Sequence, residues 1–460
     1  MAELSVAHRA ALAQVIERVP DRTLSQLGLA AAGMPGARAR TLETMLGDEI
    51  QDRKRRTRAM ACLAPMFRPR PDGVGSTTFP AAVLPRLWKV ASASEPALLP
   101  LLDSDDDREL VQVAVVCGRI CVAAAAALRD RPEIVWPEGG ETPESRQAGL
   151  AELASCCDLG PLVSRGLPSL KTWVGRPNED HLAELRLLVR DSAAIAPDGA
   201  QRLLEILFSH LGDAALILRL VVHSSTAAVQ EAFLSESELA VFVDRLIAAV
   251  DTRVARISTV RAGAGRDPMA GLKTDIAWVA GVLAELDSTI QLQPGSAWGK
   301  RARDARMRIS QTLSAMLGAA EKAVDRALPL ERVKISGRMT RMAPKLDDPI
   351  DTEARDEAAG ALALLGAIRA SAQVFGCEAR RIQVVQGLTV QLTNYADLAL
   401  DAVNAGEVIN EASGLERIEI CAQFLELIEA RDEARTVRRR GAVAGGPRTV
   451  PAAAAGSAAA

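Results

Sequence analysis

The chain has 460 residues, a formal net charge of -3, 48% apolar and 25% charged residues, and only 3% aromatics. Single cores stop growing at about 250–300 residues, so two or three domains are expected. The near-neutral charge excludes a whole-surface polyelectrolyte, and the scarcity of rings argues against stacking platforms for single-stranded nucleic acid or sugars.

Ala, Leu, Arg and Glu dominate, and β-preferring aromatics are rare. That composition predicts an all-α fold. The seven cysteines form no C-x-x-C pair, and Cys117, Cys121 and Cys421 sit inside apolar runs. They read as reduced core thiols of a cytoplasmic protein. The first ten residues lack a basic region followed by an apolar one, so no secretory signal is expected.

In chain order, the spacing of apolar residues predicts helices over 4–19, 24–32 and 37–64. The third carries a basic run, Arg53, Lys54, Arg55, Arg56 and Arg58. Acids just upstream make a solvated helix face the preferred reading. The run is nonetheless kept as a candidate partner-binding segment. Two short helices alternate with prolines over 80–102. The stretch 110–128 is nearly uncharged and about long enough to cross a bilayer. Arg119 and Gln112 within it favour a helix buried on all sides instead. No membrane span is expected.

Capping signals then repeat: Thr142 before Pro143, Asn178, Asp198 with Gln201, and Ser235 with Glu238. Residues 214–222 are apolar on most faces and should be central. Short amphipathic helices in succession suggest an irregular, solenoid-like array over 1–262. The glycines of 263–268 read as a hinge. Helices over 272–292 and 297–328 follow. Three long helices are expected over 352–375, 381–405 and 411–438, joined by short connections. They predict a long-helix up-and-down bundle over 268–440. Residues 441–460 are Gly, Pro and Ala without an apolar period, and read as a disordered tail.

The basic helix after Lys300 is not one cationic face. At about 100° per residue, Arg301 and Arg308 lie opposite Arg303 and Arg306. Those arginines read as rims around an apolar seam. The connection over 329–351 differs. It is read as an exposed cationic loop carrying Arg332, Lys334, Arg338, Arg341 and Lys345, followed by Asp347, Asp348 and Asp351. It is the second candidate partner-binding segment, unless it pairs with its own acids.

Signals for chemistry are sparse. His181 and Glu184 share a helix face, which fits a surface ion pair. His223, Ser224, Ser225 and Thr226 are sequence neighbours, and capping explains them better than a triad whose parts must converge in space. Asp105-Asp106-Asp107-Arg108-Glu109 and Asp347-Asp348-Pro349-Ile350-Asp351 resemble the aspartate-rich motifs of isoprenyl diphosphate synthases. That resemblance implies Mg²⁺ clamping of a diphosphate by carboxylates. The aromatics that line a prenyl pocket are nearly absent, and acidic helix starts account for both motifs. No catalytic, cofactor or metal residue is therefore assigned. The expectation is a non-catalytic interaction or scaffold protein with protein partners. A nucleic-acid-associated protein using the two basic segments is the alternative, and a Mg-dependent all-α enzyme the third reading.

Overall fold

The structure, a computed structural model, describes residues 5–104, 110–137, 142–260, 266–336 and 339–444. Among them are 21 α-helices and one two-stranded sheet, so the chain is all-α. It divides into two units, Met1–Leu246 with Thr289–Gln291, and Ile247–Ser288 with Leu292–Ala460.

The first unit begins with α1 (Val6–Arg18), α2 (Asp21–Ala32), α3 (Ala37–Ala59), α4 (Val83–Ser94) and α5 (Leu110–Asp130). Then come α6 (Pro132–Val135), α7 (Pro143–Asp158), α8 (Gly160–Gly166), α9 (Leu170–Val174) and α10 (Glu179–Ile195). It ends with α11 (Gly199–His210), α12 (Ile217–Ser224), α13 (Glu231–Ser235) and the first part of α14 (Ala240–Thr259). Thr142 caps α7 through Ser145 N. Asn178 caps α10 in a reciprocal box, its Oδ1 accepting from His181 N at 2.9 Å while His181 Nδ1 accepts from Asn178 N at 3.2 Å. His181 is thus a cap partner, not half of an ion pair with Glu184. The Ser235 cap is also corrected: Ser235 ends α13, and Ser237 Oγ accepts from Leu239 N instead.

The helix α5 organises this unit. It packs against α3, α4, α7 and α8. Val113, Val116, Ile120, Cys121, Ala124 and Leu128 form its buried side. Gly118 and Cys121, near its middle, let α8 approach closely. A Cβ added at Gly160 would lie 2.4 Å from Cys121 Cβ, so only glycine fits at that crossing.

The second unit holds the rest of α14, α15 (Arg266–Thr289), α16 (Ala297–Ala327), α17 (Thr352–Ala367), α18 (Arg369–Ala372), α19 (Glu378–Ala405), α20 (Glu411–Leu427) and α21 (Arg431–Ala444). In it α16 packs on α17 and α19, and α20 on α17, α19 and α21. Two of the three long helices expected near the C-terminus are interrupted. The first stops at Ala367, and Ile368 leads into the short α18. The other breaks at Glu429, whose φ of 69° is left-handed, and Ala430 N closes back onto Leu425 O at 2.9 Å. That six-to-one closure ends a helix and reverses the chain. The third long helix, α19, ends as expected at left-handed Gly406.

Residues 263–265 of the expected hinge lie outside the described residues, while Arg266 to Pro268 already open α15. Residues 445–460 of the expected tail are also outside, and α21 continues through 441–444.

Candidate functional site

The cationic connection after α16 is not a loop. Pro329 ends the helix, and β1 (Leu330–Ser336) pairs antiparallel with β2 (Met339–Pro344). Leu330 faces Pro344, Arg332 faces Met342, Val333 faces Arg341 and Lys334 faces Thr340. The register slips between Lys334 and Ser336. The period-two signal is present in the sequence: Glu331, Val333 and Ile335 alternate with Arg332, Lys334 and Ser336. Its charges draw attention away from that alternation.

Opposite residues on paired strands share a face. One face of this ribbon therefore carries Leu330, Arg332, Lys334, Thr340 and Met342, and the other Glu331, Val333, Arg341 and Ala343. The second face covers a cleft of about 440 Å³ that also takes in Leu398, Ala402 and Val408. There Arg341 Nη2 meets Glu407 Oε2 at 2.5 Å, and Lys345 Nζ lies 3.8 Å from Asp348. So two of the basic residues pair with local acids. Among the described residues, Arg332 and Lys334 have no carboxylate partner. Arg338 lies outside the described residues.

The base of the ribbon is fixed by a residue that sequence reasoning missed. Arg417 on α20 is 2% exposed. Its guanidinium donates to Leu346 O at 3.1 Å, to Asp348 O at 2.6 Å and to Ser413 Oγ at 2.5 Å. Nothing in the apolar period of α20 signals it, because two of its three partners are backbone carbonyls about 70 positions away. Asp347 accepts from Ile409 N at 2.9 Å, and Asp351 caps α17 through Ala354 N at 3.0 Å. These acids of the second aspartate-rich motif act as backbone caps. The first motif, Asp105 to Glu109, lies outside the described residues. Among the described residues no group of three or more His, Cys, Asp or Glu side chains could hold a metal ion.

The first basic segment is turned largely inward. Arg53 donates to Ile16 O, Glu17 O and Val19 O at 2.7–3.0 Å, and to Asp21 and Glu49 at 2.6 Å. It caps the C-terminus of α1, where carbonyls lack helical partners and the dipole favours a cation. Arg55 is bidentate on Asp103 and holds that carboxyl below its ordinary range, first through the hydrogen bond. Arg58 donates to Leu102 O and Ser104 O. Lys54 is exposed and Arg56 half-buried. The reading of 53–58 as a solvated face is corrected for Arg53, which belongs to the fold. In α16, Arg301 pairs with Asp251 and Arg306 with Asp287.

A different surface was hidden by the apolar composition of α5. This is the one helix among the described residues long and apolar enough to cross a membrane, and 56% of that window is buried inside the protein. The expectation that it is buried on all sides is corrected. Val111, Val115 and Val122 are 76%, 60% and 51% exposed. They recur at intervals of four and seven, so they share one stripe. With Ala126, and with Pro161 and Pro168 opposite, they line an open groove of about 750 Å³. Its polar rim includes Arg119, whose Nη2 donates to both carboxylate oxygens of Glu95 at 2.9 and 3.0 Å. Valines lie on both the buried and the open side of α5, so the sequence carries no clear signal for which face stays bare.

His223 Nδ1 meets Trp173 O at 2.9 Å, and Ser224 Oγ donates to Val221 O at 2.7 Å. The two side chains serve different backbone carbonyls and do not converge. No protein-family model, no curated protein and no solved structure matches this chain.

Proposed function

We propose that the chain is a non-catalytic helical interaction protein of the cytoplasm that binds protein partners. The observation that carries the reading is the valine-lined groove along α5. Exposed apolar patches of this kind, rimmed by polar residues, mark interaction sites. An apolar groove of this kind takes the apolar face of an amphipathic partner helix. Fully burying an exposed valine is worth about 1.5 kcal/mol, so covering these three, half to three-quarters exposed, supplies about 3 kcal/mol towards a micromolar affinity of about 8 kcal/mol. The cytoplasmic part of the reading rests on seven cysteines, all of them free and buried.

The test is a photo-crosslinking amino acid placed at Val115 in the native cell, with Glu144 as an exposed control position. The expected result is a discrete cross-linked polypeptide at Val115 that disappears when V122D is added. Cross-linking no stronger than at Glu144 overturns the reading.

A further inference from the structure

We propose that β1 is a docking edge for an acidic, extended peptide, which adds to the hairpin as a third strand. The proposal deepens the reading of the chain as a binding protein but uses a different surface from the α5 groove. Every residue from Leu330 to Lys334 is exposed. β2 packs against α19, and the β1 side chains 330–334 stay exposed beside the cleft. Among the described residues, no backbone bond from another element reaches the far edge of β1. An open edge presents alternate N–H and C=O groups to solvent and is a template for another strand.

Charge decides what kind of strand. Arg341 and Lys345 are matched by Glu407 and Asp348, whereas Arg332 and Lys334 are not matched among the described residues. Arg332 and Lys334 stand on one face, two residues apart. Side chains of an added strand that fall beside them are favoured as Glu or Asp. On the other face the neighbours are exposed Glu331, which disfavours an acid, and Val333, 36% exposed at the mouth of the cleft. That face favours small apolar side chains. The fitting partner therefore alternates acidic and apolar residues. A nucleic-acid duplex fits less well. A typical footprint uses about 6–10 phosphate contacts, and the described ribbon offers two unmatched cations beside exposed Glu331.

The experiment uses the full chain and two fluorescein-labelled heptapeptides, one alternating Glu with Val and one alternating Lys with Val. Anisotropy titrations are run at low and at moderate salt, and hydrogen exchange is followed by mass spectrometry. The Glu–Val peptide is expected to bind at least about tenfold more tightly than the Lys–Val peptide. R332E/K334E should remove that preference, and amides of 330–336 should gain protection in the complex. Both changed side chains are exposed, so the variant keeps its fold. The proposal is overturned by equal binding of the two peptides, by binding that survives R332E/K334E, or by protection gained elsewhere. It is also overturned if generic duplex DNA, and not the peptide, binds in a way that R332E/K334E abolishes. V115D/V122D leaves peptide binding unchanged, so failure here and failure of the groove reading are separable.

Discussion

At the scale of single residues, the arginines divide into those consumed by the fold and those left over. Arg53 gathers five acceptors with a side chain 11% exposed. Replacing it with methionine keeps the stem but strands the C-terminal carbonyls of α1. Hydrogen bonds to charged groups contribute about 1.5–3 kcal/mol, so R53M is expected to cost about 2–3 kcal/mol. Urea denaturation followed by circular dichroism measures it; a loss under about 0.5 kcal/mol contradicts the capping role. Arg417 does the same work for the base of the hairpin. Arg332 and Lys334 are also cations but have no such acceptors among the described residues, which is why they and not Arg53 are candidates for a partner. The sequence could not separate these cases. Acceptors such as Val19 O and Leu346 O are backbone atoms, and no residue type announces them.

Among the elements, α5 shows how one helix serves two purposes. Gly118 and Cys121 admit α8 at close range, and the valines of the stripe beside it line an open groove whose other wall includes Pro161 of α8. The contact at Gly160 sets that range. An added Cβ meets Cys121 Cβ at 2.4 Å and Cys121 Sγ at 2.6 Å. Overpacking of this kind typically costs about 1–3 kcal/mol, so G160A should lower the urea midpoint without changing the slope. A neutral G160A would mean that α8 can slide away from α5. The hairpin is the other informative element. Its strands alternate in sequence, yet each is short and charged, and the local charge run masks the alternation. The ends of helices were more legible. Thr142, Asn178 and Gly406 act locally through their own side chains or backbone freedom. Glu429 is the opposite case, a non-glycine residue at φ 69°. Only the pairing of α20 with α21 demands the reversal there.

For the whole molecule, the thiols offer a global check. All seven cysteines are free and buried. Burial pushes Cys117 up to about 11 and Cys156 up to about 12, while the Cys121 thiol, in contact at 3.6 Å, holds Cys62 below its ordinary value. Shielded thiols with little thiolate react slowly. With an aromatic disulfide reagent at pH 8, the native chain should release close to no colour in the first minutes, and the denatured chain seven equivalents. Rapid reaction of one or more native thiols would place them outside the core. The division between the two units falls inside α14, between Leu246 and Ile247, and again on either side of Thr289–Gln291.

Composition, period and caps by themselves determined that this chain is helical and where many helices begin. These are local properties, set within a few residues by propensity, side-chain spacing and the unpaired groups of helix ends. Tertiary structure alone decided which face of α5 stays bare, which arginine is swallowed by a helix end, and which cations of the hairpin find an acid. Each of those outcomes depends on atoms brought together from tens of positions apart, and on carbonyls that every residue carries alike.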